Sequence, residues 1–597
     1  MNSQFLSFFI ALWLFFFSAC TTEQDYVSVD VLVIGGGASG VTAGIQAARS
    51  GANTIIIEPT HWLGGMLTSA GVPATDGNHR LPSGLWGEWR QMLYNYYGGP
   101  DSVATGWVSN TLFEPHIGNR FWNQLADKER TLSRIHGYRV VEVLKKGNRV
   151  TGARFVNELG EIRTVMAKVI IEATELGDVL ELAGAEYLTG QDSETNPHDD
   201  NIQDITYAAI LKEYGPGQNR IISRPEGYDP EEFHCICKEV CDDPDTKVPD
   251  CQTVLNYGRL PGKKYMINWP NNGNDYYLNP IPMTEEERQE AYIAAKNRTL
   301  SLLYFLQTEA GFTQLGLADD EFPTEDLLPS QPYHREARRV KGLFQLTVED
   351  VEDPYADPDR PLYEQAIAVG DYPLDHHHDK NPHTRPEEFP PIPSFSVPFG
   401  AMIPITIDGL IVAEKSISVS HILNGATRLQ PCVMLIGQAA GAAAGLCVKQ
   451  NIEPRALSVS DLQQTLLDAG CWLLPYLDVT PADRDFQAIQ RMGVRGLMRG
   501  RGVPYKWANQ TWFDPDSTIS HEEVKAVLEK VGGEESAGHF TAADADLPLT
   551  YGEMALALNR NLKDNEWLED WMEEANRRPS EPITRREVAW VIDKVFF

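Results

Sequence analysis

The stretch from Val31 to Pro59, VLVIGGGASGVTAGIQAARSGANTIIIEP, narrows the possible folds more than any other part of the chain. It reads as strand, glycine turn, helix, strand and acidic residue. Val31 to Ile34 is an apolar run suited to a buried parallel strand, and Gly35, Gly37 and Gly40 follow it in G-x-G-x-x-G spacing. The first glycine permits the tight turn, the second lets backbone amides approach a pyrophosphate, and the third lets the next helix pack closely on the sheet. Ala38 and Ser39 sit where that helix opens, with its positive end toward the phosphates. Ala43 to Ala48 continue the helix, Gly51 ends it, and Thr54 to Ile57 form a second strand. Glu58, 18 residues after Gly40, is then placed to accept hydrogen bonds from a ribose diol. A lone glycine turn often binds nothing, but here strand, helix, strand and acid fall in register, which is the pattern of a dinucleotide site.

Several later features favour FAD over NAD. Gly64, Gly65 and Met66 form a flexible segment where the chain can pass close to a flat ring. Arg139 to Leu144, Val150 to Val156 and Ile162 to Ala173 read as an antiparallel meander with turns at Gly147-Asn148 and Leu159-Gly160. Such a meander, leading into the apolar strand that ends before Thr174, belongs to a glutathione-reductase-like FAD domain. Gly409 to Ala413 reads as a second late strand, and Pro431 suits the first turn of the helix CVMLIGQAAGAAAGLCVKQ. Gly437, Gly441 and Gly445 leave little bulk on that helix, so it can press against a neighbour and aim its positive end at a reduced flavin. A packing helix of small residues is the competing reading. The fold class expected is α/β, a Rossmann-type FAD-binding domain split in sequence around an inserted α+β substrate domain, with a small helical C-terminal domain.

Over about Val31 to Leu446 the chain resembles the FAD-dependent oxidoreductase family of bacterial proteins often labelled after xanthan lyase, which lies near the heterodisulfide reductase group. The matching stretches are Glu58-Pro59-Thr60 with Trp62-Leu63-Gly64-Gly65, Phe113-Glu114-Pro115-His116, Glu172-Ala173-Thr174 with Gly177-Asp178, Arg335-Glu336-Ala337-Arg338-Arg339, Gly370-Asp371-Tyr372-Pro373 with Asp375 and His376, and Arg428 through the Gly437-Gln438-Ala439-Ala440-Gly441 helix. The resemblance implies a flavin fold interrupted by a substrate region, with Asp375 and His376 near the flavin. Where such proteins carry Ala-Gly-Arg after the late strand, this one has Ala413-Glu414-Lys415. A glutamate thus replaces a glycine on the flavin side.

Phe5 to Phe17 is an apolar run of 13 residues, shorter than the roughly 20 that cross a bilayer, and Phe17-Ser18-Ala19-Cys20 has the look of a lipobox. The expectation is an exported, membrane-anchored lipoprotein, cleaved before a lipidated Cys20. An uncleaved anchor is the alternative. Beyond that run no stretch is read as membrane-spanning. With 84 acidic against 51 basic residues the net charge is −33, which repels a nucleic-acid backbone and removes that class of partner.

Cys235, Cys237, Cys241 and Cys251 cluster beside His234. In an exported chain two disulfides are favoured, with zinc and an iron–sulfur cluster as the rivals. Cys432, Cys447 and Cys471 are expected as packed thiols. The run Asp375-His376-His377-His378-Asp379 invites a metal reading, but alternate side chains of an extended chain point to opposite faces, so the three histidines cannot all converge on one ion. No metal is assigned. His376 and His421 are instead candidate acceptors of a substrate hydroxyl proton, with Arg428 as a further catalytic candidate, and with a loop or metal-ligand role, or a plain solvated loop, as the alternatives for the histidines. Arg335, Arg338 and Arg339 are expected to form salt bridges on a helix face.

From about Leu457 the chain becomes a series of short acidic helices with a repeat at Ile519-Ser520-His521-Glu522-Glu523, Leu549-Thr550-Tyr551-Gly552-Glu553 and Ile583-Thr584-Arg585-Arg586-Glu587. The first and third copies have capping-box logic. With Phe486 to Gly500 this region resembles a divergent S-layer homology module, which implies a cell-wall polymer as partner. A helical cap or oligomerisation domain is the alternative. The expected layout is a signal peptide over 1–20, FAD-binding segments over 28–190 and 395–456, a substrate domain over 191–394 and the helical tail over 457–597, the tail being separable from the chemistry. The function expected is hydride transfer from a C–H donor, such as a carbohydrate, to flavin. The alternative is an envelope-binding protein with a vestigial flavin fold.

Overall fold

The computed structural model describes residues 26–191, 196–268, 273–355, 364–533, 545–559, 573 and 577–597. The N-terminal apolar run and Cys20 lie outside the described residues.

The central sheet is built from β1 (Tyr26–Ile34), β2 (Thr54–Glu58), β3 (Leu132–His136), β4 (Arg139–Lys146), β5 (Arg149–Val156), β6 (Ile162–Glu172) and β7 (Leu410–Val412). Strands β3, β2, β1, β6 and β7 are parallel neighbours in that order. The first half of β6 pairs antiparallel with β5, and β5 with β4, which is the meander read from the sequence. Its second half, Ile170 to Glu172, pairs with β7, so a strand more than 200 residues later completes the sheet. Val31 to Ile34 and all of β2 are buried, as continuous apolar runs in a parallel sheet should be.

Helix α1 (Ala38–Arg49) follows the glycine turn and is buried along nearly its whole length. It needs small residues because a second helix lies on it. Two helices of the inserted and late regions are α2 (Glu285–Thr308), with a Thr284 and Glu287 capping box, and the short α3 (His421–Thr427). After α3 comes α4 (Gln430–Gln450), where a Cβ on Gly437 would stand 2.1 Å from Ser39 O, one on Gly441 2.2 Å from Ala43 O, and one on Gly445 3.6 Å from Ala47 O. The contact register advances together on both helices, so α1 and α4 run parallel at a separation that only glycine allows. By length and composition α4 also qualifies as a membrane span, contrary to the sequence-based expectation, but 89% of its apolar window is buried in the protein. It is a core helix packed against α1 beside the central sheet.

The inserted region carries a four-stranded antiparallel sheet of Arg259–Leu260, Lys264–Ile267, Ala209–Glu213 and Leu315–Leu317, covered by α2. Disulfides Cys235–Cys241 and Cys237–Cys251 tie its 235–251 segment, and Cys432, Cys447 and Cys471 are buried thiols. The arginine triplet departs from expectation: Arg339–Val340 is a two-residue strand and the region is not helical. All three arginines are buried, with Arg335 on Asp275, Arg338 on Asp178 and Glu181, and Arg339 on Glu336.

In the tail the three repeat copies meet in a ring: Ile519 N donates to Ile583 O, Leu549 N to Ile519 O, and Ile583 N to Leu549 O. The middle copy is capped like the others, with Thr550 and Glu553 bonding reciprocally. The segment just before the ring is knitted to the body. Gly84 N donates to Gly470 O, Trp472 N to Ser83 Oγ, and Asn509 N to Asp371 O. Contacts therefore cross the 456/457 boundary, and the first part of the tail is no free-standing appendage.

Candidate functional site

The glycine turn has the shape that its spacing requires. Gly35 lies at φ +99°, and a Cβ there would come within 2.2 Å of Ala173 O and 2.9 Å of Thr174 N. A Cβ on Gly40 would come within 2.0 Å of Gly35 O. Gly37 differs: the nearest atoms to its Cβ position, at 3.4 and 3.5 Å, are the carboxylate oxygens of Glu414 and Glu175. That side of the turn faces polar side chains, where the first and third glycines face backbone. Gly64 N donates to Gly36 O over 2.9 Å, Gly64 and Gly65 have φ of +106° and +49°, and a Cβ on Gly65 would sit 2.8 Å from Gly37 Cα. The Gly64-Gly65-Met66 turn thus lies directly on the glycine turn. Thr174 donates its N–H to Glu172 over 2.8 Å, so the end of β6 is part of the same rim.

Glu58 accepts from Gly36 N at 2.6 Å and from Thr60 N and Oγ1 at 2.9 and 2.7 Å. Burial pushes its carboxyl up to about 7 despite those three donors. The residue that the sequence assigns to ribose contact also fastens the turn to β2.

Glu414, the departure noted in the sequence, enters this rim. It adopts left-handed backbone at φ +57°, a conformation that favours glycine. Its Oε2 accepts from Ser39 N at 3.0 Å and Ser39 Oγ at 2.6 Å, at the first turn of α1. Lys415 Nζ bridges Glu414 Oε1 at 3.0 Å and Glu175 Oε2 at 2.8 Å, all but out of solvent. An internal carboxylate therefore stands on the helix N-terminus where a phosphate oxygen would be received. The cradle fits an anion, and a phosphate bound there would take the place that the Glu414 carboxylate now fills.

A second polar group lies beyond the start of α4. Since Ser39 lies against Gly437, the first residue of α1 is level with position 436, and α4 begins six residues earlier. At a rise of about 1.5 Å per residue, it extends roughly 9 Å past α1. Here Gln430 Oε1 accepts from Asp76 N at 2.8 Å. Arg428 donates to Tyr333 OH at 2.8 Å, to Asp375 O at 3.0 Å and to Asp375 Oδ2 at 2.9 Å. His377 contacts Asp275 at 2.9 Å and Asp375 at 3.5 Å, and Asp275 pairs with Arg335. Asp76 Oδ1 is buried without a hydrogen-bond partner among the described residues. Burial, and then the neighbouring Asp375 charge, push the Asp76 carboxyl up to about 7. Sequence reading missed Asp76, Asp275, Tyr333 and His377. Nothing in their spacing joins them, and only the return of the chain through α3 and α4 brings them together.

Residues 30–466 match the model of the family described as FAD dependent oxidoreductase. The chain belongs to the FAD-dependent oxidoreductase family. FAD is its cofactor, and it is an oxidoreductase enzyme. No curated protein is similar enough to match. Among solved structures it resembles a geranylgeranyl bacteriochlorophyll reductase-like protein from Thermoplasma acidophilum, at 12% identity and TM-score 0.33 over 92% of this chain and 100% of that one. It also resembles p-nitrophenol 4-monooxygenase from Pseudomonas putida, at 10% identity and TM-score 0.33 over 79% of this chain and 90% of that one. The flavin-dependent brominase Bmp2 is similar at 12% identity and TM-score 0.33, over 75% of this chain and 84% of that one. Likenesses this distant transfer no reaction to this oxidoreductase.

Of the sequence-predicted cofactor residues, the structure gathers Gly35, Gly37, Ala38, Ser39, Gly40, Glu58, Gly64, Gly65, Met66, Thr174 and Gly437 around one turn. The three catalytic candidates separate. Arg428 joins the Asp76 group. His376 and His421 lie with ring centroids 4.9 Å apart on the other side of the 375–378 segment, beside His378 and Glu387. His376 has one ring nitrogen on Ile422 O and the other on His378, and His421 has Nδ1 on Glu336. In this arrangement neither faces the Asp76 group, and His377 of the same run does.

Proposed function

We propose that this FAD-dependent oxidoreductase is an exported dehydrogenase or oxidase that oxidises a hydroxyl-bearing C–H donor of the carbohydrate class. The observation that carries the reading is Asp76, a buried carboxyl with one unpartnered oxygen, poised to titrate near 7 beyond the start of α4. When bound, FAD supplies a ring that takes up a hydride. Its pyrophosphate would be held by the amides after Gly37 and by the start of α1, and its ribose by Glu58. Asp76 would accept the proton of the donor hydroxyl as the C–H bond breaks, and Gln430 fixes its backbone. Arg428, Asp375 and His377 offer the mixed donors and acceptors that a polyol needs for orientation.

Export is supported by two disulfides in the inserted region and by the apolar run Phe5 to Phe17 ahead of Cys20, read as a lipoprotein signal. The division into FAD-binding segments 28–190 and 395–456 around a 191–394 substrate region is supported by β7 returning to β6. The three-membered ring of the tail supports a separate role for its last part, and a cell-wall polymer is the ligand class that the sequence resemblance suggests.

The test is an anaerobic screen of sugars, polyols and their acids, following loss of the oxidised flavin absorbance. Bleaching by members of this class is expected. Its rate should rise with pH through about 7, because Asp76 accepts a proton only when ionised. The limb should vanish, with a fall of roughly 10²-fold or more, in Asp76→Asn. A pH profile and rate unchanged in Asp76→Asn would remove Asp76 from the reaction, and bleaching by apolar donors alone would remove the substrate class.

A further inference from the structure

The three consecutive histidines do not converge, but two of them do. His377 turns toward Asp275 and Asp375, while His376 and His378, two apart and sharing the opposite side, meet His421 from the first turn of α3 and Glu387 from the following loop. These four side chains are 2%, 10%, 5% and 4% exposed respectively. One ligand atom from each lies within 4.8 Å of all the others. His376 Nδ1 is 3.1 Å from His378 Nε2 and 3.8 Å from Glu387 Oε2, and His421 Nε2 is 3.3 Å from Glu387 Oε1.

The tautomers set by the surroundings leave lone pairs facing inward. His376 Nε2 lies 2.9 Å from Ile422 O and must donate to it, which leaves Nδ1 unprotonated in the neutral ring. His421 Nδ1 lies 2.7 Å from Glu336 Oε1, which turns Nε2 into the cluster, 3.3 Å from Glu387 Oε1. His421 Nε2 and Glu387 Oε1 are both buried and face each other inside the cluster. Without an ion the inward-facing atoms are bridged by protons on His378 and His421, and a cation at their centre would take the place of those protons.

We propose that His376, His378, His421 and Glu387 bind one divalent first-row transition-metal ion. Three imidazoles and one carboxylate suit zinc, manganese, iron or cobalt, whereas magnesium and calcium favour all-oxygen shells. Four ligands about 2.0 to 2.1 Å from an ion at tetrahedral angles stand roughly 3.3 Å apart, close to the spacings present here. The outer shell is also in place. Glu336 receives His421, is paired with Arg339 at 3.0 Å, and accepts from Gln203 N at 2.6 Å. A carboxylate behind a ligating histidine orients the ring and fixes its tautomer. The ion would clamp the 376–387 segment onto α3. Asp375 and His377, interleaved with two of the ligands, would thereby be held against Arg428 and Asp275. The ion's role is to position that polar group, and its binding does not depend on which donor is oxidised.

The test uses the purified full chain. Metal content is measured before and after stripping with a chelator, and the stripped protein is titrated calorimetrically with Zn²⁺. Co²⁺ is then added in place of Zn²⁺, and its d–d absorption is read at wavelengths longer than the flavin bands. One equivalent of Zn²⁺ and Co²⁺ bands of a nitrogen-rich, low-coordinate site are expected. Affinity should fall at least 10²-fold in His421→Ala and in Glu387→Gln and stay unchanged in His377→Gln, whose side chain faces the other way. If a ligand variant fails to fold by circular dichroism, the wild-type Co²⁺ spectrum decides alone. Failure of the wild-type chain to bind either ion at one equivalent, an octahedral all-oxygen Co²⁺ spectrum, or unchanged affinity in folded Glu387→Gln and His421→Ala would overturn the proposal.

Discussion

Glu414 shows how one residue can be visible in the sequence while its consequence is not. Its place in Ala413-Glu414-Lys415 marks a lost glycine, but only the fold shows the carboxylate bonded to Ser39 on the helix end that should receive phosphate. Two costs meet there. A non-glycine residue is held at φ +57°, and a negative charge must leave before another arrives. Glu414→Gly should relieve both, tightening FAD binding about tenfold for the roughly 1 to 2 kcal/mol involved. Fluorescence titration of the apoprotein with FAD measures this, and weaker binding in the variant would show that Glu414 helps to hold the cofactor. Asp76 is the complementary case, a single acid with no motif around it. Its raised carboxyl means that the folded chain holds a proton which the unfolded chain has released between about pH 4 and 7. Its burial therefore costs stability as pH rises through that window.

At the level of elements, the glycine turn, the meander and the late strand and helix were legible because each carries a local period or a turn signal. Helix α4 was legible as a helix but ambiguous in role, since small and apolar residues suit a packing helix and a membrane span alike. Its partner decides, because Gly437 and Gly441 have backbone atoms of α1 within 2.2 Å of where a Cβ would be. Gly437→Leu should push α4 off α1 and lower stability by about 3 kcal/mol or more, with loss of FAD in the same step. Thermal unfolding with and without the cofactor reads both. A stable Gly437→Leu protein with full flavin content would contradict the packing described. The arginine triplet was misread for a related reason: charge spacing suggested a helix face, whereas carboxylates from two distant segments, Asp275 and Asp178 with Glu181, and the neighbouring Glu336 pair with the buried arginines. In the histidine run, alternation held and separated His377 from its neighbours. What it could not supply was Glu387 and His421, which arrive through tertiary structure.

Across the whole molecule, the sequence delineated the tail as distinct in composition but carried no sign of how it joins the body. Trp472, Leu474, Tyr476 and Phe486 belong to the same continuous core as Val31 and Trp86, and the closed three-copy ring begins only near Ile519. A chain ending near Ala456 should therefore aggregate or lose its flavin by uncovering that face. One ending near Asp514 keeps the segment docked on the body and should retain FAD, although it uncovers the face of Phe486–Val494 that packs on Arg585–Phe596. Size-exclusion chromatography with flavin absorbance distinguishes them, and a well-behaved, flavin-replete 456 truncation would show the tail to be independent throughout. The central claim, that FAD sits with its pyrophosphate on the turn between β1 and α1, is tested most directly by equilibrium binding of FAD to wild-type and Gly37→Val apoprotein, with circular dichroism of both. Gly37 has room for a Cβ in the absence of cofactor, its nearest neighbours being the Glu414 and Glu175 carboxylates at 3.4 and 3.5 Å. The variant is thus expected to fold as wild type does while binding FAD at least 10²-fold more weakly. Equal affinity in a folded Gly37→Val protein would place the cofactor elsewhere.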